Sequence, residues 1–294
     1  MPNIRVIGIG DNVIDKYVEE GIMYPGGNAL NFCAYAGLKK LDTAYIGKFG
    51  NDCISRCIKS ALFDLNIDIS FSRFLTGESG YTKVKLKNND RVFMDSNKGG
   101  ISKETPWDFT DDDLKYISKY SIIHTSVNSY IENDLVLLKK TNVPISFDFS
   151  CRWNNKYLKK VCPNIDIAFF SCSHLNKSEI IEELKKAQHY GSAIAIGTVG
   201  ESGSYALVDN KILYHPAFIN GDTLDTMGAG DAYITAFLIG LFEQLAKNQD
   251  TLFDVNLNKL ALYIKHSMKE GACFSSKVCK IKGAFGYGKY IRGC

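Results

Sequence analysis

Asp225-Thr226-Met227-Gly228-Ala229-Gly230-Asp231 is a glycine-rich turn that runs directly into an apolar helical pattern. Small side chains let backbone N–H groups approach an anion closely, and the first turn of a helix adds unpaired donors at the positive end of its dipole. Asp231 stands at the mouth of the same turn, where it could take the proton of an attacking hydroxyl. An anion hole beside a base favours phosphoryl transfer to an alcohol.

This turn has competing interpretations. Glycines before a helix are often needed only for the backbone conformation of a tight turn. An aspartate in the first turn of a helix often only interacts favourably with the positive end of the helix dipole. The dinucleotide-binding pattern fits this turn badly because Tyr233 stands where a third glycine is needed. The phosphate-binding P-loop pattern fits it worse because no Gly-Lys-Ser/Thr follows.

Three more glycine-containing stretches precede this turn in a fixed order. They are Gly8-Ile9-Gly10-Asp11-Asn12, Pro25-Gly26-Gly27-Asn28-Ala29-Leu30-Asn31 and Thr198-Val199-Gly200-Glu201-Ser202-Gly203. Together with residues 225–231 they resemble the motifs of the ribokinase-like (PfkB) sugar kinases over nearly the whole chain. The resemblance implies an ATP-dependent sugar kinase with a ribokinase-like three-layer α/β fold, a mainly parallel sheet between helices and a small β lid.

For the sugar, the resemblance implies a site built from the two N-terminal motifs. Asp11 and Asn31 would bind sugar hydroxyls, since a carboxylate accepts hydrogen bonds and an amide both donates and accepts them. Gly26 and Gly27 would let the backbone approach the sugar, and Asn28 would add a contact. The alternative is structural: Asp11 caps a turn and Asn31 is a polar helix residue.

For the reaction, the resemblance implies that Asp231 is the general base. The N–H groups of Gly228-Ala229-Gly230 would stabilise the charge of the transferring phosphoryl group. Thr198 and Gly200 would border the nucleotide, and Gly203 would turn the chain into the next hairpin.

Metal binding is less well defined by the motifs. Mg²⁺ is expected to arrive with ATP, bound mostly through phosphates and waters. The family's usual Asn-x-x-Glu is replaced by Ser171-Cys172-Ser173-His174. Asp148 and Asp166 are candidate acidic substitutes, and a structural role at a strand end is the alternative for both. The resemblance also implies a monovalent-cation site at Asp225, with K⁺ as the candidate ion, and a loop cap is the alternative.

Shorter peptides suggest a branch of the family. Residues 10–15, 89–93, 147–150 and 283–288 are similar to the bacterial fructoselysine 6-kinases. This similarity implies phosphorylation of the 6-hydroxyl of a fructosamine such as fructoselysine. The alternatives are a kinase for a free sugar, such as fructose or another ketose, and a degenerate kinase that binds sugar or nucleotide as a regulator. The intact residues 228–231 argue against the degenerate kinase.

Short apolar strands alternate with helical periods along the chain, which is typical of a parallel sheet covered on both faces. The candidate strands are residues 5–9, 44–46, 121–124, 145–147, 167–170 and 193–196. The candidate helices are residues 29–38, 53–65, 111–119, 178–189, 230–245 and 257–272. Together with the resemblance, this alternation predicts one ribokinase-like kinase domain over residues 1–294.

One segment departs from this alternation, and the resemblance implies that it forms the lid over the sugar. Residues 81–87 and 91–94 read as strands joined by Asn88-Asn89-Asp90, which is a hairpin signal. We assign the lid to roughly residues 13–24 and 69–100. Its exposed edges favour pairing with a second lid, and hence a homodimer. Arg91 on this hairpin is a candidate substrate ligand, with a solvated strand residue as the alternative.

Composition narrows the remaining possibilities. With 294 residues, 45% of them hydrophobic, the chain can bury one large core, and a net charge of +3 is too small to indicate nucleic-acid binding. The nine cysteines form no CxxC pair, so reduced thiols in a cytoplasmic protein are expected. We find no secretory signal pattern, and no apolar run reaches membrane-spanning length.

Overall fold

The structure is a computed structural model that describes residues 4–87, 90–219, 221 and 223–291. Its described strands form one large sheet and one small sheet. The strands, in chain order, are β1 (Arg5–Gly10), β2 (Val13–Tyr17), β3 (Ile22–Gly26), β4 (Asp42–Phe49), β5 (Arg73–Phe74), β6 (Tyr81–Lys87), β7 (Asp90–Ser96), β8 (Ile122–Ser126), β9 (Ile145–Asp148), β10 (Ile167–Ser171), β11 (Ile194–Thr198), β12 (Ser204–Val208), β13 (Lys211–His215) and β14 (Lys289–Tyr290).

The α-helices lie between these strands, and all six of the predicted helices are present. In chain order they are α1 (Asn28–Leu38), α2 (Cys53–Asp64), α3 (Ile101–Glu104), α4 (Asp111–Ile117), α5 (Leu135–Leu138), α6 (Asn155–Val161), α7 (Lys177–His189), α8 (Ala229–Lys247) and α9 (Leu257–Val278). The helix start predicted from Thr110 is confirmed, since its side chain accepts a hydrogen bond from Asp113 N–H and the two residues form a capping box.

The large sheet has nine strands in the order β13-β12-β11-β10-β9-β8-β1-β4-β5. The run from β11 to β5 is parallel, and β12 and β13 add an antiparallel hairpin at one edge. Parallel strands place their carboxyl ends at the same edge of the sheet, and α/β proteins bind ligands at that edge.

Two hydrophobic layers cover the two faces of this sheet. Strand residues alternate between them: Val6 packs with the layer of α1, α2, α8 and α9, whereas Ile7 packs with the layer of α4 to α7. The same alternation occurs at Phe169 and Phe170 of β10. The expected three-layer, mainly parallel fold is confirmed.

The small sheet has the strand order β14-β3-β2-β6-β7. The segments predicted for the lid supply four of its strands, and β14, which the sequence did not suggest, pairs with β3. Strand β5 lies within the predicted lid range but pairs with β4 of the large sheet instead. The prediction missed this because a two-residue strand carries too short an alternation to assign.

The cysteines differ from the expectation at one position. Seven cysteines of the described part of the chain are free, but Cys53 is disulfide-bonded. The expectation of reduced thiols therefore fails at Cys53. Within the described residues, no helix combines the length and the apolar character that crossing a bilayer requires.

Candidate active site

The predicted site residues converge at the carboxyl-terminal edge of the large sheet. Asp11 follows β1, Asp148 ends β9 and Thr198 ends β11, while the first turns of α1 and α8 face them. These two turns carry Asn28 and Asp231. Two sequence motifs about 200 residues apart are thus joined directly by hydrogen bonds.

The turn before α8 needs glycine at its first position. Gly228 is left-handed, with φ of 74°, and a Cβ added there would lie 2.3 Å from the Tyr35 hydroxyl oxygen. Ala229 N–H donates to the carbonyl of Thr226 at 3.2 Å, so this donor is engaged within the turn. In the described part of the chain, Gly228 and Gly230 N–H have no backbone acceptor. These two groups are the donors left for an anion.

Asp231 is half-buried and held by two asparagines of α1. Asn28 Nδ2 donates to its Oδ1 at 2.7 Å, and Asn31 Nδ2 donates to its Oδ2 at 2.6 Å. The carbonyl oxygen of Asn31 is buried and has no hydrogen-bond partner among the described residues. Because buried acceptors are almost always satisfied, this oxygen is a candidate ligand group.

Asn28 also joins Asp231 to a second carboxyl group. Its Nδ2 donates to Asp148 Oδ2 at 2.9 Å, and its Oδ1 lies 2.9 Å from His124 Nε2. The side-chain amide is thereby fully used by protein groups, which orient it. Burial, with the negative charge of Asp231 second, raises the pKa of Asp148 to about 7.

Asp11 forms a buried cap on α1. Its carboxylate accepts the backbone N–H groups of Asn28 at 2.7 Å and Ala29 at 3.3 Å. It also accepts the hydroxyls of Ser126 and Ser129 at 3.0 and 3.1 Å. These contacts match the structural alternative for Asp11, and sugar binding by this residue stays a prediction.

Gly26 and Gly27 pack against protein atoms. Gly27 has φ of 116°, and a Cβ added there would lie 2.7 Å from the carbonyl oxygen of Asp11. A Cβ at Gly26 would lie 2.6 Å from Asp15 Oδ2. Gly27 is therefore needed for the close approach of α1 to Asp11, and Gly26 for the close approach of β3 to Asp15 of β2.

A cavity of about 150 Å³ lies between the α8 turn and the strand ends. Its lining includes Asp148, Ser171, Thr198, Gly230 and Asp231. Clefts for whole ligands usually measure roughly 300–1,000 Å³, so this cavity matches a phosphoryl group better than a complete nucleotide.

The other predicted nucleotide residues lie just beyond this cavity. Gly200 has φ of 54° and begins a single turn of 3-10 helix between β11 and β12. Gly203 has φ of 91°, and a Cβ there would lie 2.2 Å from the carbonyl oxygen of His215. The predicted turn into a hairpin at Gly203 is confirmed by the pairing of β12 with β13.

Asp225 is completely buried and accepts three hydrogen bonds. The donors are Tyr17 Oη of β2 at 2.7 Å, Met227 N–H at 2.9 Å and Gly283 N–H at 3.0 Å. All three neighbours are donors, whereas a cation requires acceptor oxygens. The contacts thus favour the loop cap, and they tie the small sheet to the α8 turn.

Two arginines, the predicted Arg91 and Arg152 after β9, have no described contact with the cavity. Arg91 belongs to β7, but its side chain lies outside the described part of the chain. Arg152 is exposed, and its guanidinium donates to Asn128 Oδ1. No cluster of three or more His, Cys, Asp or Glu side chains suited to a metal ion occurs among the described residues.

Sequence reasoning missed His124 of β8 and Ser146 of β9, which stand behind the site. Both are completely buried, and His124 Nδ1 lies 3.1 Å from Ser146 Oγ. A single histidine inside an apolar strand carries no motif. Only the position of β8 beside β1 in the sheet could have indicated that it faces α1.

The fold is shared with known ribokinases. The structure of Arabidopsis thaliana ribokinase complexed with ribose and ATP superimposes with a TM-score of 0.78, covering 99% of this chain and 97% of that chain. The two sequences are 18% identical, so this likeness concerns the fold alone.

Sequence comparison assigns the family. Residues 3–251 match the pfkB family carbohydrate kinases. A fructosamine kinase of Bacillus subtilis (strain 168) is 37% identical over 286 residues, which cover 97% of this chain and 94% of that protein. A fructoselysine 6-kinase of Escherichia coli (strain K12) is 30% identical over 232 residues, 79% of this chain and 87% of that protein. This protein belongs to the pfkB family of ATP-dependent carbohydrate kinases.

Proposed function

We propose that the protein transfers the γ-phosphoryl group of ATP to the 6-hydroxyl of a fructosamine such as fructoselysine. The observation that carries the kinase chemistry is the position of Asp231 beside the cavity lined by Gly228 and Gly230. The choice of a fructosamine is supported by the two relatives named for fructosamine and fructoselysine.

In the proposed reaction, Asp231 accepts the proton of the sugar hydroxyl as the hydroxyl oxygen attacks the γ-phosphorus. The bond from the γ-phosphorus to the β–γ bridging oxygen breaks, and ADP leaves with that oxygen. Gly228 and Gly230 N–H stabilise the negative charge on the transferring group, aided by the positive end of α8. Ala229 has a smaller role, because its N–H already serves the turn.

The sugar hydroxyl needs a group that orients it toward Asp231. Asn31 supplies one: its Nδ2 fixes the Asp231 carboxylate, and its buried carbonyl oxygen has no partner among the described residues. A substrate hydroxyl could donate to this oxygen and satisfy it. Asn31 is therefore assigned to both the base and the substrate.

For Mg²⁺, the only carboxyl groups that line the cavity in the described part of the chain are Asp148 and Asp231. Since Asp231 serves as the base, Asp148 is the residue we assign to the metal, with Ser171 beside it where the family has asparagine. When bound, Mg²⁺ neutralises phosphate charge. The set is sparse, so most ligands would be phosphate oxygens and waters. We do not assign K⁺ to Asp225, given its three donors.

The small sheet is proposed to be a lid over the sugar and a surface for homodimer formation. Its edge strand β7 presents Val92 and Met94, which are 39% and 54% exposed. Exposed apolar residues on an edge strand favour pairing with another chain.

The test is a comparison of kcat/KM for fructoselysine and fructose at saturating ATP. Fructoselysine carries an amine and a carboxylate beyond the sugar, and a site built for them should reject free fructose by up to ~10⁴-fold, because its polar groups would stay unpaired. Two-dimensional ³¹P–¹H NMR of the product identifies the phosphorylated hydroxyl. Equal or higher efficiency on fructose would overturn the fructosamine assignment and favour the free-sugar alternative.

A further inference from the structure

A buried histidine stands directly behind the proposed catalytic residues. His124 lies under α1, where its ring centroid is 4.8 Å from that of Phe32. Its Nε2 is 2.9 Å from Asn28 Oδ1, and its Nδ1 is 3.1 Å from Ser146 Oγ. Among the described residues, the imidazole forms hydrogen bonds to these two side chains and to no carboxylate, so its role is separate from that of the base.

The direction of each hydrogen bond follows from the two carboxyl groups. Asp148 and Asp231 both accept from Asn28, so the amide nitrogen of Asn28 must face them and its carbonyl oxygen must face His124. The His124 Nε2 therefore carries a hydrogen. Complete burial lowers the pKa of His124 to about 3, so the ring is neutral, its Nδ1 is bare and the Ser146 hydroxyl donates to it.

We propose that His124, held in one tautomer by Ser146, is a positioning residue that locks the Asn28 amide so that it donates to both Asp148 and Asp231. This inference rests on the proposed role of Asp231 as the base. If the amide turned over, its carbonyl oxygen would face two carboxyl groups and both donors would be lost. The base would then be misplaced and the two carboxyl groups would repel one another.

The charged groups around this network come from several elements. Asp148 of β9 faces Asp231 of α8, and Asp11 after β1 also contributes negative charge. Arg152, in the loop after β9, contributes the opposing positive charge. Loss of the Asn28 donors would therefore leave Asp148 and Asp231 facing one another without the amide that links them.

Two substitutions separate positioning from packing. His124→Gln keeps an N–H that can reach Asn28 and an oxygen that can accept from Ser146, whereas His124→Leu keeps bulk and removes both groups. His124→Leu should lower kcat by about 10- to 100-fold. His124→Gln should retain most of the activity, because it keeps the donor that faces Asn28.

A double-mutant cycle with Asn28→Ala tests whether His124 acts through Asn28. Once Asn28 is removed, His124→Leu should lower kcat by less than about threefold further, since coupled residues are not additive. Leu138→Ala on α5, a buried substitution outside this network, is the control for general destabilisation and should leave the kcat of the folded enzyme unchanged. Additive effects in the cycle, or a His124→Gln variant as impaired as His124→Leu, would overturn the proposal.

A measurement without turnover separates this proposal from the proposed function. ¹⁵N NMR of histidine-labelled protein, assigned by loss of the signal in His124→Gln, should show a protonated Nε2 and a bare Nδ1 throughout pH 5 to 8. Ser146→Ala should disturb this tautomer. A protonated Nδ1, or a ring that titrates in this range, would refute the lock. If the wild-type protein failed to phosphorylate fructoselysine, the function would fail while the tautomer result still stood.

Discussion

Replacing Asp231 with asparagine is the most direct perturbation of the proposed chemistry. The change keeps the side-chain volume but replaces one acceptor oxygen with an N–H donor. In the native site both oxygens of Asp231 accept hydrogen bonds, from Asn28 at 2.7 Å and from Asn31 at 2.6 Å. In Asp231→Asn, the new N–H donor would therefore face the N–H donor of one of these two amides.

Only one of the two amides can turn to relieve this contact. Asn28 is held by His124 and Asp148, but the carbonyl oxygen of Asn31 has no partner among the described residues and can accept from the new amide. Both hydrogen bonds lose their charge assistance but neither is left unmade, so the free energy of unfolding should fall by only ~1–2 kcal/mol. The variant should remain folded.

Turnover should respond far more strongly than stability. An amide cannot accept the hydroxyl proton, so kcat with fructoselysine should fall by about 10²–10⁴-fold in Asp231→Asn. The dissociation constant for ATP, measured by calorimetry, should change by less than about fivefold, because the anion-binding N–H groups remain in place. A variant that kept more than a tenth of the wild-type kcat would show that Asp231 is not the base.

Three further predictions concern charge, backbone and assembly. Because the pKa of Asp148 is raised to about 7, the native state keeps a proton that the unfolded state loses above pH ~4. The free energy of unfolding should therefore fall by up to roughly 4 kcal/mol between pH 4 and 7. Urea unfolding of Asp148→Asn should not show that fall. Gly228→Ala should lower the melting temperature, since the new Cβ would lie 2.3 Å from a tyrosine oxygen. Gly230→Ala, whose Cβ would meet nothing within 4 Å, should melt as the wild type does yet bind ATP more weakly. Equal melting temperatures for the two variants would contradict this. Met94→Lys should shift sedimentation toward the monomer, whereas Phe63→Lys, at an exposed position of α2, should not. A dimer that persists in Met94→Lys would exclude the β7 edge as the dimer interface.

The fold was predictable because its signals are local. Alternation between apolar strands and helical periods is visible in short windows, and capping residues such as Thr110 mark helix starts. The strand β14 and the edge strand β5 were not predictable, because two residues carry no period and their pairing partners are fixed only by tertiary packing.

The site was predictable in part. Residue types at fixed motif positions suggested Asp231 and Asn31, and the structure brings these two side chains together. The contacts of Asp11 and Asn28 could not be anticipated, since whether a polar group faces a ligand or a neighbouring helix depends on which elements meet. His124 was undetectable for the same reason, because it acts across strands that are neighbours only in the folded sheet.

The small sheet also has a consequence for how the protein is made on the ribosome. Its strand β3 is synthesised early but pairs with β14, whose residues follow some 260 positions later, and Tyr17 likewise waits for Asp225. Chains grow at about 5–20 residues per second, so these early strands remain without their partners for tens of seconds while the large sheet is still incomplete. During this time the edge of β3 that pairs with β14 is exposed to other nascent chains on neighbouring ribosomes. Slower translation should lengthen the time during which β3 can pair with such a chain.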